Sequence, residues 1–246
     1  MDVTQLSIIA IAFLTAGVIK GAIGVGLPTT AIAILGLSLG LRDAVVVLIV
    51  PSLVANIWQI ARGGELAALF RRFWLMNAMA CIGIWLGTII LFRVDPKLLS
   101  GLLGIVIGGY AIMNLMSFRP TVTRGRESIW APAVGFAAGM LTGTTGSLLM
   151  PVVVFLQALG LDKNRFVQAA GLSLLIGTVA WAAALYDQGA IDGPAVLLSS
   201  FALVPTLLGM LAGIWLRERI SQELFRRFVA FFFLILGGNL VYANWF

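Results

Sequence analysis

Long apolar runs alternate with short clusters of charge along this chain, and that alternation fixes its class before any motif is considered. The runs are roughly 18 to 24 residues long, the length a helix needs to cross ~30 Å of hydrocarbon. Of 246 residues, 61% are hydrophobic and 11% charged, with mean hydropathy +1.06. A soluble domain of this size has no room to bury so much apolar surface. The pattern implies an all-α integral membrane protein, because lipid tolerates only helices and closed barrels, and these runs are too long for barrel strands.

Several function classes drop out on composition. The chain has one cysteine, Cys81, and no histidine. This removes an internal disulfide, His-ligated metals, Ser-His triads and imidazole proton relays, so neither enzyme chemistry nor a resident cofactor is expected. The net charge of +6 comes from basic residues flanking the spans, which topology explains better than nucleic acid. The start at Asp2 lacks a basic n-region, and no A-x-A pattern precedes the next span, so no removable signal peptide is expected.

The second half restates the first. Gly17, Gly21, Gly24 and Pro28 in GVIKGAIGVGLP align with Gly139, Gly143, Gly146 and Pro151 in GMLTGTTGSLLMP, with one inserted residue. GIWLG at 83 to 87 lies opposite GMLAG at 209 to 213. We therefore expect two membrane repeats, 1–118 and 129–246, joined by a linker at 119–128.

Single helical spans are expected at 44–61, 73–92, 98–117, 166–186, 193–216 and 225–245. Residues 5–41 and 129–161 are too long for one crossing, and each is interrupted near its middle by the Gly/Pro motif, so each reads as a broken helical hairpin. Each repeat is thus a broken hairpin plus three transmembrane helices.

Charge supports this arrangement. With each hairpin entering and leaving on one side, Arg62, Arg71, Arg72, Arg119, Arg124, Arg126, Lys163, Arg165, Arg217, Arg219, Arg226 and Arg227 share a face, against Arg42, Arg93 and Lys97 on the other. The positive-inside rule then places both termini outside the cytoplasm and makes the repeats inverted. Whether the hairpins are re-entrant or cross fully stays open on parity. Trp58, Trp74, Trp130, Trp181, Trp215 and Trp245 fall near span ends and fit an interfacial belt, whereas Trp85 is central and fits packing.

The chemistry concentrates at the breaks. Helices broken in inverted repeats present half-helix N-termini, whose unpaired N–H groups and positive dipole end favour an anion. Pro28 suits the first turn of a second arm, and Thr29, Thr30, Thr142, Thr144, Thr145 and Ser147 supply hydroxyls. Glycine lets backbone approach a ligand and adopt unusual dihedrals. Gly83, Gly87, Gly209 and Gly213 fit small-residue helix packing instead.

Lys20 lies deep in an apolar run, at a cost of at least ~2.5 to 3.5 kcal/mol unless it faces a polar interior or counter-ion. All ten acidic residues sit near span ends, so a substrate anion is the expected partner. Asn56, Gln59, Gln168 and Ser173, on the spans directly after the hairpins, are candidates to line the cavity. Coupling to H+ or Na+ is open, as is uniport, and glycine pairs could serve a homodimer or the internal fold.

The paired motifs opening the two halves, the GLRDA and GLDKNRFVQA stretches after the hairpins and GIWLRERISQELFRRF before the last span together resemble the sulfite exporter TauE/SafE family over the whole chain. The resemblance implies a multi-pass permease of the bacterial inner membrane for small anions such as sulfite, organosulfonates, sulfoacetate-like compounds or carboxylates. Carried over by motif, it places the substrate site on Gly21, Gly24, Gly26, Pro28, Thr29, Gly143, Thr144, Thr145, Gly146 and Ser147, with Lys20 nearby. The expected function is secondary transport by alternating access at a central site between the two hairpins. An anion channel and a non-transporting membrane scaffold are the alternatives.

Overall fold

A computed structural model describes residues 3–36, 38–61, 64–116, 121–147, 150–219 and 222–245. Among these residues the fold is all helical. In chain order the helices are α1 (Val3–Ile23), α2 (Leu27–Leu35), α3 (Leu41–Val47), α4 (Ile49–Ile60), α5 (Leu66–Arg93) and α6 (Pro96–Leu115). A 3₁₀ turn at Arg124–Arg126 leads to α7 (Glu127–Thr145), α8 (Met150–Ala158), α9 (Lys163–Asp187), α10 (Gly193–Arg219) and α11 (Gln222–Trp245). Six of them, α1, α5, α6, α9, α10 and α11, are long and apolar enough to cross a membrane. The protein is an all-α membrane protein.

Each stretch expected to break does so, into α1 and α2 and into α7 and α8, with unequal arms. The first arms have 21 and 19 residues and the second arms nine each. Nine residues rise only ~14 Å, less than half the hydrocarbon thickness. Arg119, at the start of the expected linker, lies outside the described residues, as do Asp2 and Arg62.

Residues 44–61 depart from the expectation of one straight helix. They form α3 and α4, bent by 43° at Leu48. Pro51, in the first turn of α4, has no N–H to offer the Val47 carbonyl. The Ser199 hydroxyl takes that role, donating to Val47 O (2.8 Å) and accepting from Val50 N–H (3.0 Å). A hydroxyl from α10 thereby satisfies backbone that lipid would leave unpaired. Acidic residues near span ends serve as helix caps: Asp95 for α6, Asp162 for α9 and Asp192 for α10.

The chain divides into two compact units, neither of which is a half of the sequence. The first joins Met1–Pro51, Val94–Phe118 and Asp192–Phe246; the second joins Ser52–Arg93 and Arg119–Ile191. In the first unit α1 packs on α10 and α6 on α11. A Cβ on Gly17 or Gly21 would strike the backbone of Thr206 or Met210 on α10, and Gly209 and Gly213 meet α1 in the same way. In the second unit α7 packs on α5, with Gly135, Gly139 and Gly143 against Met76, Ala80 and Ile84, and Gly83 and Gly87 in return. Such stripes bring helix backbones into contact where lipid supplies no hydrophobic drive for association.

The tryptophans depart from the expected pattern at two positions, Trp181 and Trp85. Trp58, Trp74, Trp130, Trp215 and Trp245 are exposed, but Trp181 is completely buried. Its position near the end of α9 suggested an interface, but its ring is enclosed in protein. Trp85 is exposed at mid-helix and faces outward.

Candidate functional site

The two breaks share one backbone design. α1 ends at Ile23, and Gly24 follows with φ +89°, its N–H bonded to Lys20 O at 2.8 Å. α7 ends at Thr145, and Gly146 follows with φ +69°, its N–H bonded to Thr142 O at 2.8 Å. Gly26, at φ +99°, precedes α2. An L side chain in this left-handed region costs ~1–2 kcal/mol, which is why glycine occupies these positions. Pro28 sits in the first turn of α2, where its missing N–H removes a donor that has no helical partner.

The glycines expected at the site divide into two kinds. Gly21 and Gly143 are contact residues between helices: a Cβ on Gly143 would come within 2.6 Å of Thr88 N, and one on Gly21 would overlap Met210. Gly24 has open space where a Cβ would go. Gly24, Gly26 and Gly146 shape the breaks.

Side chains at the breaks are buried. Lys20 is only 3% exposed and sits in the last turn of α1, where a cation meets the negative end of the helix dipole. Thr29 is buried in the first turn of α2, and Thr30 Oγ1 donates to Gly26 O at 2.8 Å. Thr142, Thr144 and Thr145 donate to Ala138 O (2.8 Å), Met140 O (2.8 Å) and Leu141 O (2.7 Å) of their own helix. A threonine with its proton committed in this way offers a ligand only lone pairs, the wrong polarity for an anion. Ser147 differs: its N–H bonds Thr145 Oγ1 at 3.3 Å, and its buried Oγ has no partner.

Asn56 and Gln59 on α4 and Gln168 on α9 are buried and held by named contacts. Asn56 Nδ2 donates to Thr178 Oγ1 (3.3 Å), Gln59 Nε2 to Val167 O (2.8 Å), and Glu65 N–H to Gln168 Oε1 (3.1 Å). Ser173 is 1% exposed and its Oγ has no partner. Thus Asn56, Gln59, Gly143, Thr144, Thr145, Gly146, Ser147, Gln168 and Ser173 belong to the second unit. Lys20, Gly21, Gly24, Gly26, Pro28 and Thr29 belong to the first.

The sequence profile of the sulfite exporter TauE/SafE family matches residues 8–240, nearly the whole chain. The protein belongs to that family. Membership implies a multi-pass transport protein that moves an anion, with sulfite the family's namesake, across a membrane. Among curated proteins and among solved structures, nothing matches the chain.

In this TauE/SafE protein several buried polar groups escape sequence reasoning. Ser52 is 2% exposed with an unpartnered Oγ, like Ser173. The alignment of VPSLV (50–54) with GLSLL (171–175) was the available signal, since each serine follows a hairpin. Thr178 gives no such cue, because nothing local tells a bonded threonine from one facing lipid. At the charged end of the second unit, Arg165 forms a two-point pair with Glu65 (2.8 and 3.1 Å) and lies 3.4 Å from Asp162; Arg72 pairs with Glu127 at 2.7 Å. Exposed pairs of this kind contribute ~0–1 kcal/mol each, so they orient the α4–α5 turn on α9 more than they stabilise it.

Proposed function

We propose that this protein is a secondary transporter of small anions, sulfur oxyanions or organosulfonates among them, working by alternating access in a bacterial inner membrane with both termini extracytoplasmic. The two halves, 1–118 and 129–246, act as inverted repeats joined through 119–128. The hairpin breaks supply the binding groups: backbone N–H at the short arms, Lys20 and Thr29 in the first hairpin, and Ser147 in the second. The observation that carries this reading is the recurrence of one break in each half, a left-handed glycine capping a long arm before a nine-residue arm. The N-terminal ends of short helical arms present dipole ends that attract negative charge, and the first turn of α2 is buried. Polar backbone at such depth needs a partner, and an anion is one.

Counterflow in liposomes tests the proposal. Purified protein is reconstituted with sulfite, sulfate, sulfoacetate, taurine or small carboxylates inside and labelled substrate outside. Saturable accelerated exchange for one of these anions is the expected result. Unsaturable flux without counterflow would identify a channel, and silence across the panel from folded protein would favour a scaffold.

A further inference from the structure

Two buried amides in the second unit have their polarity forced by their neighbours. Gln59 donates its Nε2 to the carbonyl of Val167, so its Oε1 must point the other way, and that oxygen is buried without a partner. Gln168 accepts the Glu65 N–H on its Oε1, so its Nε2 is the opposite end of the dipole, and that nitrogen is likewise buried without a partner. Rotating either amide by half a turn would oppose carbonyl to carbonyl or N–H to N–H, so the assignment follows from the contacts. The two side chains come from adjacent places, since Gln59 binds the residue preceding Gln168. Gly171 makes the room: a Cβ there would press on Gln59 Cγ at 3.0 Å and on Ile60 Cγ2 at 3.1 Å.

One unpaired acceptor and one unpaired donor, both buried, are incomplete in a low-dielectric interior. A fully deprotonated oxyanion can satisfy only the donor. A water or a protonated oxyanion satisfies both. Among the described residues, the charged groups on the elements around them include Glu65, Asp162 and Arg165, joined in the rim pairs, with Arg71, Arg72, Arg126 and Glu127 on α5 and at the start of α7.

We propose that Gln59 and Gln168 form a subsite for an oxyanion that carries a proton, Gln168 donating to its oxygen and Gln59 accepting from its O–H. The inference rests on the transport reading above and deepens it. It names the protonated monoanion as the transported form, so that one proton accompanies each anion without a carboxylate or imidazole relay in the protein.

The test is the pH dependence of counterflow KM for total sulfite, an anion that gains its proton near neutrality, beside a sulfonate with no second proton to gain. If the monoanion binds, sulfite KM rises about tenfold per pH unit above the substrate's own pKa, while the sulfonate's stays flat. Gln59→Met should flatten the sulfite slope, and Gln168→Met should raise KM about three- to tenfold at every pH. Gln59→Asn, which withdraws the carbonyl by one methylene, repeats the first arm should the methionine variant misfold. Saturable exchange with a flat wild-type slope overturns the subsite and leaves the transport reading standing. So does a slope unchanged in folded Gln59 variants, which would make the occupant a structural water. Absence of any saturable exchange instead defeats the transport reading first.

Discussion

Hairpins α1–α2 and α7–α8 have nearly the same backbone and quite different chemistry. Each long arm closes on a left-handed glycine, each short arm has nine residues, and each long arm lies on a glycine-lined partner helix. Yet Lys20 stands where the second hairpin has Thr142, and Val25 where it has Ser147. The first break therefore contributes a charge, the second an uncommitted hydroxyl. Backbone geometry is constrained by packing and by the need to end a helix inside lipid, and both halves meet those demands alike. Side chains at the breaks escape them, which leaves their chemistry free to differ.

The sharpest way to break the comparison is to overfill the helix contacts. Leucine at Gly21 or at Gly143 would drive a side chain into the backbone of α10 or α5, and overpacking of this kind costs ~1–3 kcal/mol or more. Both variants should lose most of their monodisperse peak in detergent chromatography. Tolerance at one position alone would mean that the two helix pairs are not equivalent. Next in size is the charge. Lys20→Gln should raise the KM for anion counterflow about tenfold or more, given ~1.5–3 kcal/mol for a hydrogen bond to a charged group. Thr142→Val, at the matching position, should leave KM within about twofold because its proton already serves Ala138 O.

The breaks themselves should respond equally. Gly24→Ala and Gly146→Ala each place a side chain in the left-handed region at ~1–2 kcal/mol, read as matched falls in Tm. A harmless Gly146→Ala would separate the two caps. The smallest effect belongs to Ser147→Ala, which should raise KM about threefold with no fall in Tm, since the lost hydroxyl has no partner in the fold. An unchanged KM would remove Ser147 from the substrate site.

Much of this was legible without coordinates. Hydropathy marks most of the spans, and the pairing of GVIKGAIGVGLP with GMLTGTTGSLLMP marks both breaks to within a few residues. The bend between α3 and α4 was missed because Pro51 sits in an otherwise seamless apolar run, and the group that tolerates it, the Ser199 hydroxyl, lies almost 150 residues away. Gly21 and Gly24 look alike in the sequence, three residues apart. One is a contact surface and the other a left-handed cap, a distinction that depends on α10 lying beside the first and nothing lying beside the second.

The sequence by itself determined that the chain lives in a bilayer, which helices it builds and where two of them break, because apolar length and glycine placement act locally. The structure decided which polar groups remain available to a ligand, through local helix bonds for the threonines and through tertiary contacts for the glutamines. Threonines 142, 144 and 145 and serine 147 belong to one cluster of hydroxyls on paper, but helix geometry consumes the protons of the first three and leaves the last unpaired. The amides of Gln59 and Gln168 acquire direction only from the backbone that faces them. Hydrogen-bond polarity is a property of neighbours, and neighbours across a fold are not written in the order of the chain.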